Sequence, residues 1–316
     1  MNHLSVLDTR TSAWREARKR WTLNSLLGRE DIKSNSGQWN NVDASVFDPV
    51  LAELFYKWYL PSNGSILDPF AGGSVRGLVA ESLGYDYTGI DISETQIAAN
   101  RLQTSANYIL GDAEAVLPEL QGQYDYIFTC PPYHDLEVYT DLPNDLSNMD
   151  YSSFSQKYTS ILRHSYDNLK PNRFMSIVVS EIRDYTPGIY NEGIYKNLVG
   201  LTIEAAQEAG FKYYNDYVVI NAFERGAKMI NRYYKTNRKV PRVHQNVLTF
   251  VKGNPDIAVL DIDNHSEIVC TIDGIPYRSY IEACQSLNID LSLLKYRIKS
   301  NSARFSSYVN KKDGNH

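Results

Sequence analysis

The sequence predicts an α/β protein built on a doubly wound, mainly parallel sheet of seven strands. Between about Ser65 and Lys252, short apolar runs bounded by turn residues alternate with segments of helical periodicity, which is the pattern of such sheets. The predicted strands are Ile66–Leu67, Tyr87–Ile90, Tyr108–Leu110, Tyr124–Thr129, Phe174–Ser180, Tyr213–Ile220 and Asn246–Val251. Acidic, glycine-rich or proline-rich sequence follows several of them directly, and ligands of these sheets bind beyond the carboxyl ends of the strands.

Helices are predicted between the strands, at Leu78–Leu83, Glu94–Leu102, Phe154–Leu169 and Ile194–Ala209. The last of these helices is followed by Gly210, which is a typical helix terminator. We expect residues 36–256 to form this main domain, preceded by a basic N-terminal arm over residues 1–35.

A second, smaller unit is predicted at residues 257–316, and the segment Pro255–Asp263 has the composition of a linker. The unit begins with a strand at Glu267–Thr271 and continues with two helical patterns, Ser279–Leu287 and Leu291–Ile298. A short polar break separates the two patterns, which is helix-turn-helix spacing. We therefore expect a DNA-binding module here, although generic helical hairpins share the pattern.

Composition and charge narrow the classes of protein. The chain has 316 residues, a formal net charge of −5 and three cysteines, too few and too scattered for a disulfide framework and without metal-ligand spacing. No apolar run approaches the roughly 18 residues that span a bilayer, and the N-terminus lacks a secretory signal, so we expect a cytoplasmic protein without a bound metal. The net negative charge argues against a protein that coats nucleic acid.

Basic residues nevertheless cluster at three places in this acidic chain. The clusters are Arg15, Arg18, Lys19 and Arg20; Arg225, Lys228, Arg232, Lys235, Arg238, Lys239 and Arg242; and Lys295, Arg297, Lys299 and Arg304. Each cluster alone is compatible with a solvated surface. Together they favour a polyanionic partner that is gripped locally through its phosphates.

The first strand ends in Asp68-Pro69-Phe70-Ala71-Gly72-Gly73, a turn whose two glycines let the backbone approach a ligand closely. Asp91 ends the second strand, where a carboxylate can accept both hydroxyls of a ribose, and Asp112 ends the third, where it can accept from an adenine amino group. The phosphate-binding fingerprints of dinucleotide enzymes and P-loop proteins are absent from the chain. These features predict a site for an adenosine without a pyrophosphate.

The fourth strand ends in Cys130-Pro131-Pro132-Tyr133. Two consecutive prolines hold the backbone extended and remove two N–H donors, which leaves the neighbouring carbonyls free to accept from an incoming donor. Tyr133 offers a flat face on which a base can stack. Its position directly after a buried strand argues against the alternative that Pro-Pro-Tyr is a surface ligand of an adaptor domain.

Together these motifs resemble the DNA amino methyltransferases, whose signature is Asp, Asn or Ser followed by Pro-Pro-Tyr. The resemblance covers about Val6 to Pro255. The run from Tyr133 to Met149 and the later stretch from Arg238 to Leu248 look like phage and prophage DNA methylases, which act in the host cytoplasm. It implies a Rossmann-like methyltransferase fold, S-adenosylmethionine as cofactor, and transfer to N6 of adenine or N4 of cytosine in a base flipped from double-stranded DNA.

The resemblance also implies roles for individual residues. The cofactor residues would be Phe47, Asp68, Pro69, Phe70, Ala71, Gly72, Gly73, Asp91, Ile92 and Asp112, and the catalytic residues Cys130, Pro131, Pro132 and Tyr133. Because target recognition comes late in this motif order, residues 222–243 would form the recognition loop. The residues expected to grip DNA are Arg238, Lys239 and Arg242 in that region and Lys295 and Arg297 in the C-terminal unit.

One position departs from the family, because Cys130 stands where Asp, Asn or Ser is usual, and a thiol is a weaker acceptor. A different interpretation makes Cys130 a thiolate nucleophile for cytosine C5 methylation with Glu181 as its partner, although the thiol precedes the prolines instead of following them. Three further functions compete with amino methylation of DNA: methylation of RNA, DNA binding by a degenerate methylase without activity, and the reaction of a dehydrogenase.

Overall fold

The computed structural model describes residues 5–23, 47–134, 138–183, 193–220, 234–235, 238–240, 242–263, 270–277, 280–289, 291–300 and 303–310. Its main feature is a mixed eight-stranded sheet with the strands β1 (Val6–Asp8), β2 (Ser65–Asp68), β3 (Asp86–Asp91), β4 (Asn107–Leu110), β5 (Tyr124–Thr129), β6 (Leu169–Val179), β7 (Lys212–Ile220) and β8 (His244–Lys252). Their order across the sheet is β1-β7-β8-β6-β5-β2-β3-β4.

All neighbouring strands are parallel except β8, which runs antiparallel between β6 and β7. The prediction of a doubly wound, mainly parallel sheet is confirmed, but the count of seven strands was wrong. The eighth strand is β1, which pairs with β7 and has only three residues, too few for a recognisable alternation.

Helices cover the sheet on both faces: α1 (Ser12–Leu23), α2 (Pro49–Tyr59), α3 (Val75–Ser82), α4 (Glu94–Gln103), α5 (Ala113–Val116), α6 (Tyr151–Asn168), α7 (Leu198–Glu208) and α8 (Pro255–Asp263). Side-chain capping at the N-terminus stabilises the first turn of several of these helices. The Asp48 carboxylate accepts from the Val50 N–H, ahead of Pro49 in the first turn of α2, and Asp150 accepts from Ser152 and Ser153 at the start of α6.

Two hydrophobic clusters hold these layers together. On one face, Phe55 of α2 stacks on Phe128 of β5, with ring centroids 5.4 Å apart. On the other face, Phe154 and Tyr158 of α6 stack at 5.7 Å and pack against the sheet and α7. Every one of these four rings is fully buried, so the strand ends between the two clusters are held on a rigid scaffold.

Residues 5–23 belong to this scaffold instead of extending from it as the expected basic arm. Trp14, Ala17 and Trp21 are buried, and their spacing forms one apolar stripe along α1. The first basic cluster lies on the exposed face of the same helix. Because of these charges, the segment was predicted to be a basic arm, whereas it forms an amphipathic helix.

The expected linker Pro255–Asp263 is the helix α8, and that prediction was wrong. Ala258 and Ile262 are buried in the core on the α2 side, which their four-residue spacing makes possible. The boundary expected between residues 256 and 257 thus falls within a helix of the main domain.

The C-terminal unit has its own small sheet, in the order β10-β9-β11, formed by β9 (Cys270–Ile272), β10 (Ile275–Tyr277) and β11 (Tyr308–Asn310). Helices α9 (Tyr280–Leu287) and α10 (Leu291–Lys299) pack on it through Ala283 and Leu294. The two expected helices and the short break between them are present, whereas β10 and β11 were not predicted.

Within the described ranges, no helix is both long and apolar enough to cross a membrane. Among the same residues, His, Cys, Asp and Glu side chains do not form a group of three or more that could hold a metal ion.

Candidate active site

The candidate site lies at the carboxyl ends of β2 and β5, which are adjacent in the sheet. The strand order reverses here, because the chain continues from β2 through β3 to β4 on one side and from β5 to β6 on the other. Loops that leave such neighbours diverge and open a crevice. The Thr129 hydroxyl at the end of β5 donates to Asp68 Oδ1 at the end of β2 over 2.7 Å, so the two ends are fixed to each other.

Asp68 is fully buried beneath the loop that follows β2. Its Oδ1 accepts from the Thr129 hydroxyl and the Phe70 N–H, and its Oδ2 accepts from Arg76 Nε at 2.5 Å and the Tyr87 hydroxyl at 2.7 Å. These four donors occupy the roughly four acceptor positions of a carboxylate. A direct contact between Asp68 and the cofactor, as the sequence predicted, does not fit this geometry. The buried carboxylate instead supports the loop that follows β2.

Sequence reasoning missed Arg76, which ties the loop to this carboxylate. Its Nη2 donates to the carbonyls of Phe70 and Ala71 at 2.6 and 2.9 Å, and its guanidinium lies 4.6 Å from the ring centroid of Phe47. Burial opposes the charge, but the Asp68 carboxylate raises the pKa of Arg76 above its usual value. The feature of the sequence that could have identified Arg76 is its position as a single arginine inside the apolar run at the start of α3.

Gly72 adopts a left-handed conformation, with φ of +52°. Its N–H donates to Asp91 Oδ2 at 2.8 Å, and its carbonyl accepts from Asn100 Nδ2 at 2.7 Å. A Cβ atom built on Gly72 or on Gly73 would meet no atom within 4 Å. The loop therefore faces open space, with Pro69 and Ala71 buried behind it and Phe70 half-buried.

Asp91 is half-buried at the end of β3. Its Oδ1 accepts from the Ser93 N–H and its Oδ2 from the Gly72 N–H, both at 2.8 Å, which leaves one acceptor position on each oxygen. Burial raises the pKa of Asp91, and these two N–H groups oppose the increase. The remaining positions suit two neighbouring hydroxyls, and Ile92 lies half-buried beside them.

Replacing Asp91 by alanine is expected to weaken S-adenosylmethionine binding by about 1–3 kcal/mol, because ribose hydroxyls would lose their acceptor. Titration calorimetry measures this change. Glu94→Ala provides a control, since Glu94 is an exposed acid on the adjoining turn of α4 and should bind the cofactor like the wild type. Equal affinities for Asp91→Ala and the wild type would contradict the assignment.

Asp112 is the N-cap of α5, and its carboxylate accepts more hydrogen bonds from the protein than the sequence suggested. Its Oδ1 accepts from the Glu114 N–H, while its Oδ2 accepts from Lys157 Nζ at 2.5 Å and Asn144 Nδ2 at 3.1 Å. Lys157, which sequence reasoning missed, also donates to the Asn144 carbonyl at 2.8 Å. The residues around Asn144 are thereby fixed over the end of β4, and Oδ1 keeps one acceptor position.

The Cys130-Pro131-Pro132-Tyr133 turn follows β5, with Pro131 buried and the other three residues half-buried. The Cys130 Sγ lies 3.8 Å from the Tyr133 hydroxyl. Burial and the neighbouring sulfur raise the pKa of Tyr133 well above its usual value, so its hydroxyl stays protonated. The turn thus presents a neutral tyrosine beside the thiol.

His134, the next residue, holds this turn in place. It is 4% exposed and left-handed, with φ of +50°, a conformation that its surroundings must stabilise. Lys196 Nζ lies 3.0 Å from its Nδ1, and the Met149 carbonyl lies 2.9 Å from its Nε2. A lysine ammonium only donates, so Nδ1 accepts from Lys196 and Nε2 donates to the Met149 carbonyl. Nothing in the local sequence indicated this contact between residues 62 positions apart.

Glu181, the suggested partner of a nucleophilic Cys130, is used elsewhere. Its two carboxylate oxygens accept from the N–H groups of Leu198 and Val199 at 3.0 and 3.1 Å. It therefore caps the first turn of α7, where an acid is also favoured by the helix dipole. The glutamate that the interpretation as a cytosine C5 methyltransferase requires beside Cys130 is therefore engaged in capping a helix.

The expected DNA-contacting residues differ in their surroundings. Arg238 is exposed, with its guanidinium 5.1 Å from the ring centroid of Tyr234, and Lys239 is half-exposed. Arg242 donates to Asn246 Oδ1 at 2.6 Å, so its charge lies against the sheet. Most of the predicted recognition loop, residues 222–243, lies outside the described ranges.

In the C-terminal unit, Arg297 donates to the Tyr308 hydroxyl at 2.9 Å and packs beside two aromatic rings, so it braces the unit. Lys295 lies on the same helix, α10. Lys299 and Arg304 are exposed and remain the accessible cations of this cluster among the described side chains.

No family model matches the chain, and no curated protein does. Among solved structures, the chain is similar to TrmN from Thermus thermophilus, with 16% identity, a TM-score of 0.43, and coverage of 65% of this chain and 49% of that one. It is also similar to a methyltransferase from Pyrococcus furiosus, with 16% identity, a TM-score of 0.43, and coverage of 76% and 98%.

A third similar structure is a candidate DNA modification methylase, also from Thermus thermophilus, with 18% identity, a TM-score of 0.34, and coverage of 46% of this chain and 51% of that one. The chain thus spans about half the length of TrmN and of this methylase. At such identities and TM-scores a function has to be argued from the site itself.

Proposed function

We propose that this chain is an S-adenosylmethionine-dependent DNA methyltransferase that modifies the exocyclic amino group of a flipped adenine or cytosine. The observation that carries the proposal is the bond between Thr129 and Asp68. One buried carboxylate supports the glycine loop after β2 and also fixes the end of β5, from which the Pro-Pro-Tyr turn emerges. A cofactor loop and a turn for an amino group are thus adjacent and rigidly connected.

The loop side fits an adenosine ligand. The open space over Gly72 and Gly73 leaves room for it, and Asp91 keeps two acceptor positions for hydroxyls. Asp112 keeps one acceptor position for an adenine amino group. When bound, S-adenosylmethionine supplies an activated methyl group, so the protein contributes mainly orientation.

The turn side fits a planar base that carries an amino group. Such a group is buried in a base pair, so the base has to leave the stack before it can enter the crevice. There the Tyr133 ring provides a stacking surface, and the Pro131 carbonyl accepts one amino hydrogen. Cys130 stands where the family places a stronger acceptor, and its thiol accepts the second hydrogen weakly. The amino lone pair is then directed away from both acceptors.

Replacing Cys130 by serine is expected to maintain or raise the rate of methylation, because a hydroxyl accepts better than a thiol. The rate is measured with S-adenosylmethionine and genomic DNA from a strain that lacks base methylation. Mass spectrometry of the nucleosides should find N6-methyladenine or N4-methylcytosine, and Cys284→Ser, at the half-buried thiol of α9, is the control.

Loss of all activity in Cys130→Ser, together with 5-methylcytosine as the wild-type product, would contradict transfer to an amino group. Methylation of RNA but not of DNA would contradict the proposed substrate. Binding of S-adenosylmethionine and DNA without any methylated product would instead support a degenerate, non-enzymatic protein. Binding of NAD in place of S-adenosylmethionine would contradict the cofactor.

A further inference from the structure

A continuous series of contacts extends from the Pro-Pro-Tyr turn to the region of the expected recognition loop. His134 contacts Lys196, whose neighbour Tyr195 forms an isolated β-bridge with Arg183. Arg183 Nη2 donates to the Val240 carbonyl at 3.3 Å. Through these contacts, the segment 193–197 connects the Pro-Pro-Tyr turn with residues 238–240.

The centre of this series is a cation over an aromatic ring. The Arg183 guanidinium lies 4.2 Å from the ring centroid of Tyr195, and its Nη2 also donates to the Tyr195 hydroxyl at 3.0 Å. Tyr195 remains 43% exposed even though Arg183 covers part of it. The ring is therefore both held in place and open to solvent.

The charge of Arg183 is not neutralised by the protein among the described residues. Its partners there are the carbonyls of Gly193 and Val240 and the Tyr195 hydroxyl, which are all uncharged. A second pair of the same kind, Arg238 over Tyr234, lies two residues from Val240, and Tyr234 is 49% exposed. Two exposed tyrosines, each with an arginine, suit a polyanion with flat bases.

We propose that Tyr195, held by Arg183, is a stacking platform for an unpaired nucleobase next to the flipped target base. This inference rests on the proposed function and adds a residue that positions the DNA strand carrying the target base. Flipping leaves the neighbouring bases without one stacking partner, and the Tyr195 ring, next in the chain to the Lys196 that contacts His134, replaces it. Arg183 contributes its remaining N–H donors to the adjacent phosphate.

Fluorescence anisotropy with the full chain tests the platform, with a fluorescein-labelled single-stranded DNA of mixed sequence as the probe. Tyr195→Leu, which keeps an apolar side chain under Arg183, is expected to bind about 5- to 150-fold more weakly, the loss that corresponds to one base–aromatic stack. Tyr195→Phe keeps the ring and should retain affinity. Tyr213→Leu is the control, because Tyr213 is 39% exposed and lies at the other end of the sheet.

The kinetic constants give an independent measurement. Tyr195→Leu should raise the KM for DNA more than it lowers kcat, and its affinity for S-adenosylmethionine should not change. If Tyr195→Leu binds DNA as tightly as the wild type, Tyr195 is only a brace for Arg183 and the platform is overturned, while the proposed function stands. If the wild type binds neither single-stranded nor duplex DNA, the proposed function and the platform are both overturned.

Discussion

Replacing Asp68 by alanine is expected to lower the free energy of unfolding by about 3–5 kcal/mol, the loss typical when one partner of a buried ion pair is removed. Arg76 is 4% exposed and would keep its charge without the carboxylate that balances it. The hydroxyls of Tyr87 and Thr129 would lose their acceptor as well. Urea unfolding followed by circular dichroism measures the change.

Asp86→Ala is the matched control for this prediction. Asp86 is an exposed acid at the start of β3, and surface substitutions of this kind usually change stability by about 0.5 kcal/mol or less. The double variant Asp68→Leu, Arg76→Met should recover part of the loss, because it removes both charges together. A loss below about 1 kcal/mol in Asp68→Ala would show that the ion pair does not support the loop.

The fold and the placement of the predicted residues at one edge of the sheet were predictable because both depend on local patterns. Strand-forming runs end at Asp68, Asp91 and Thr129, and the carboxyl ends of parallel strands meet at one edge of a sheet. The period of the apolar residues identified α3, α4, α6 and α7, whereas α1, α2 and α5 were not predicted. The strand β1 was missed because three residues are too few for an alternation to emerge, and α8 was missed because most of its apolar residues form one continuous run at 257–260, which has no helical period.

The separate roles of the three acids were not predictable in the same way. Each ends a strand, yet Asp68 is saturated by buried donors, Asp91 keeps two acceptor positions, and Asp112 is shared with Lys157. Those donors come from other elements, and Lys157 lies 45 residues from Asp112 along the chain. Only the packing of α6 against α5 brings the pair together, which no local pattern records.

The basic residues show the same limit of sequence reasoning. A cluster of charges in the sequence does not reveal whether each guanidinium points to solvent or bonds within the protein. Arg242 and Arg297, which belong to predicted clusters, and Arg183, which lies outside them, all donate to uncharged partners within the described residues. Tests of DNA binding in the C-terminal unit therefore have to remove the whole unit or its exposed cations.

Deleting residues 264–316 is expected to raise the dissociation constant for duplex DNA by about 10²- to 10⁴-fold, the contribution of a second tethered binding site. The deletion begins after α8, because Ala258 and Ile262 belong to the main core, and an earlier start would disturb the main domain. The affinity for S-adenosylmethionine should not change, and DNA binding should depend less steeply on salt because fewer phosphates are contacted.

The double variant Lys299→Gln, Arg304→Gln separates charge from architecture, since both side chains are exposed and the small core of the unit stays intact. We expect it to lower the salt dependence in the same direction as the deletion, because each lost phosphate contact releases one counterion fewer. Filter binding at several salt concentrations and single-turnover methylation at saturating DNA measure both effects. Unchanged DNA affinity after deletion would show that the unit does not bind DNA, whereas normal affinity without methylation would show that it helps to build the active site.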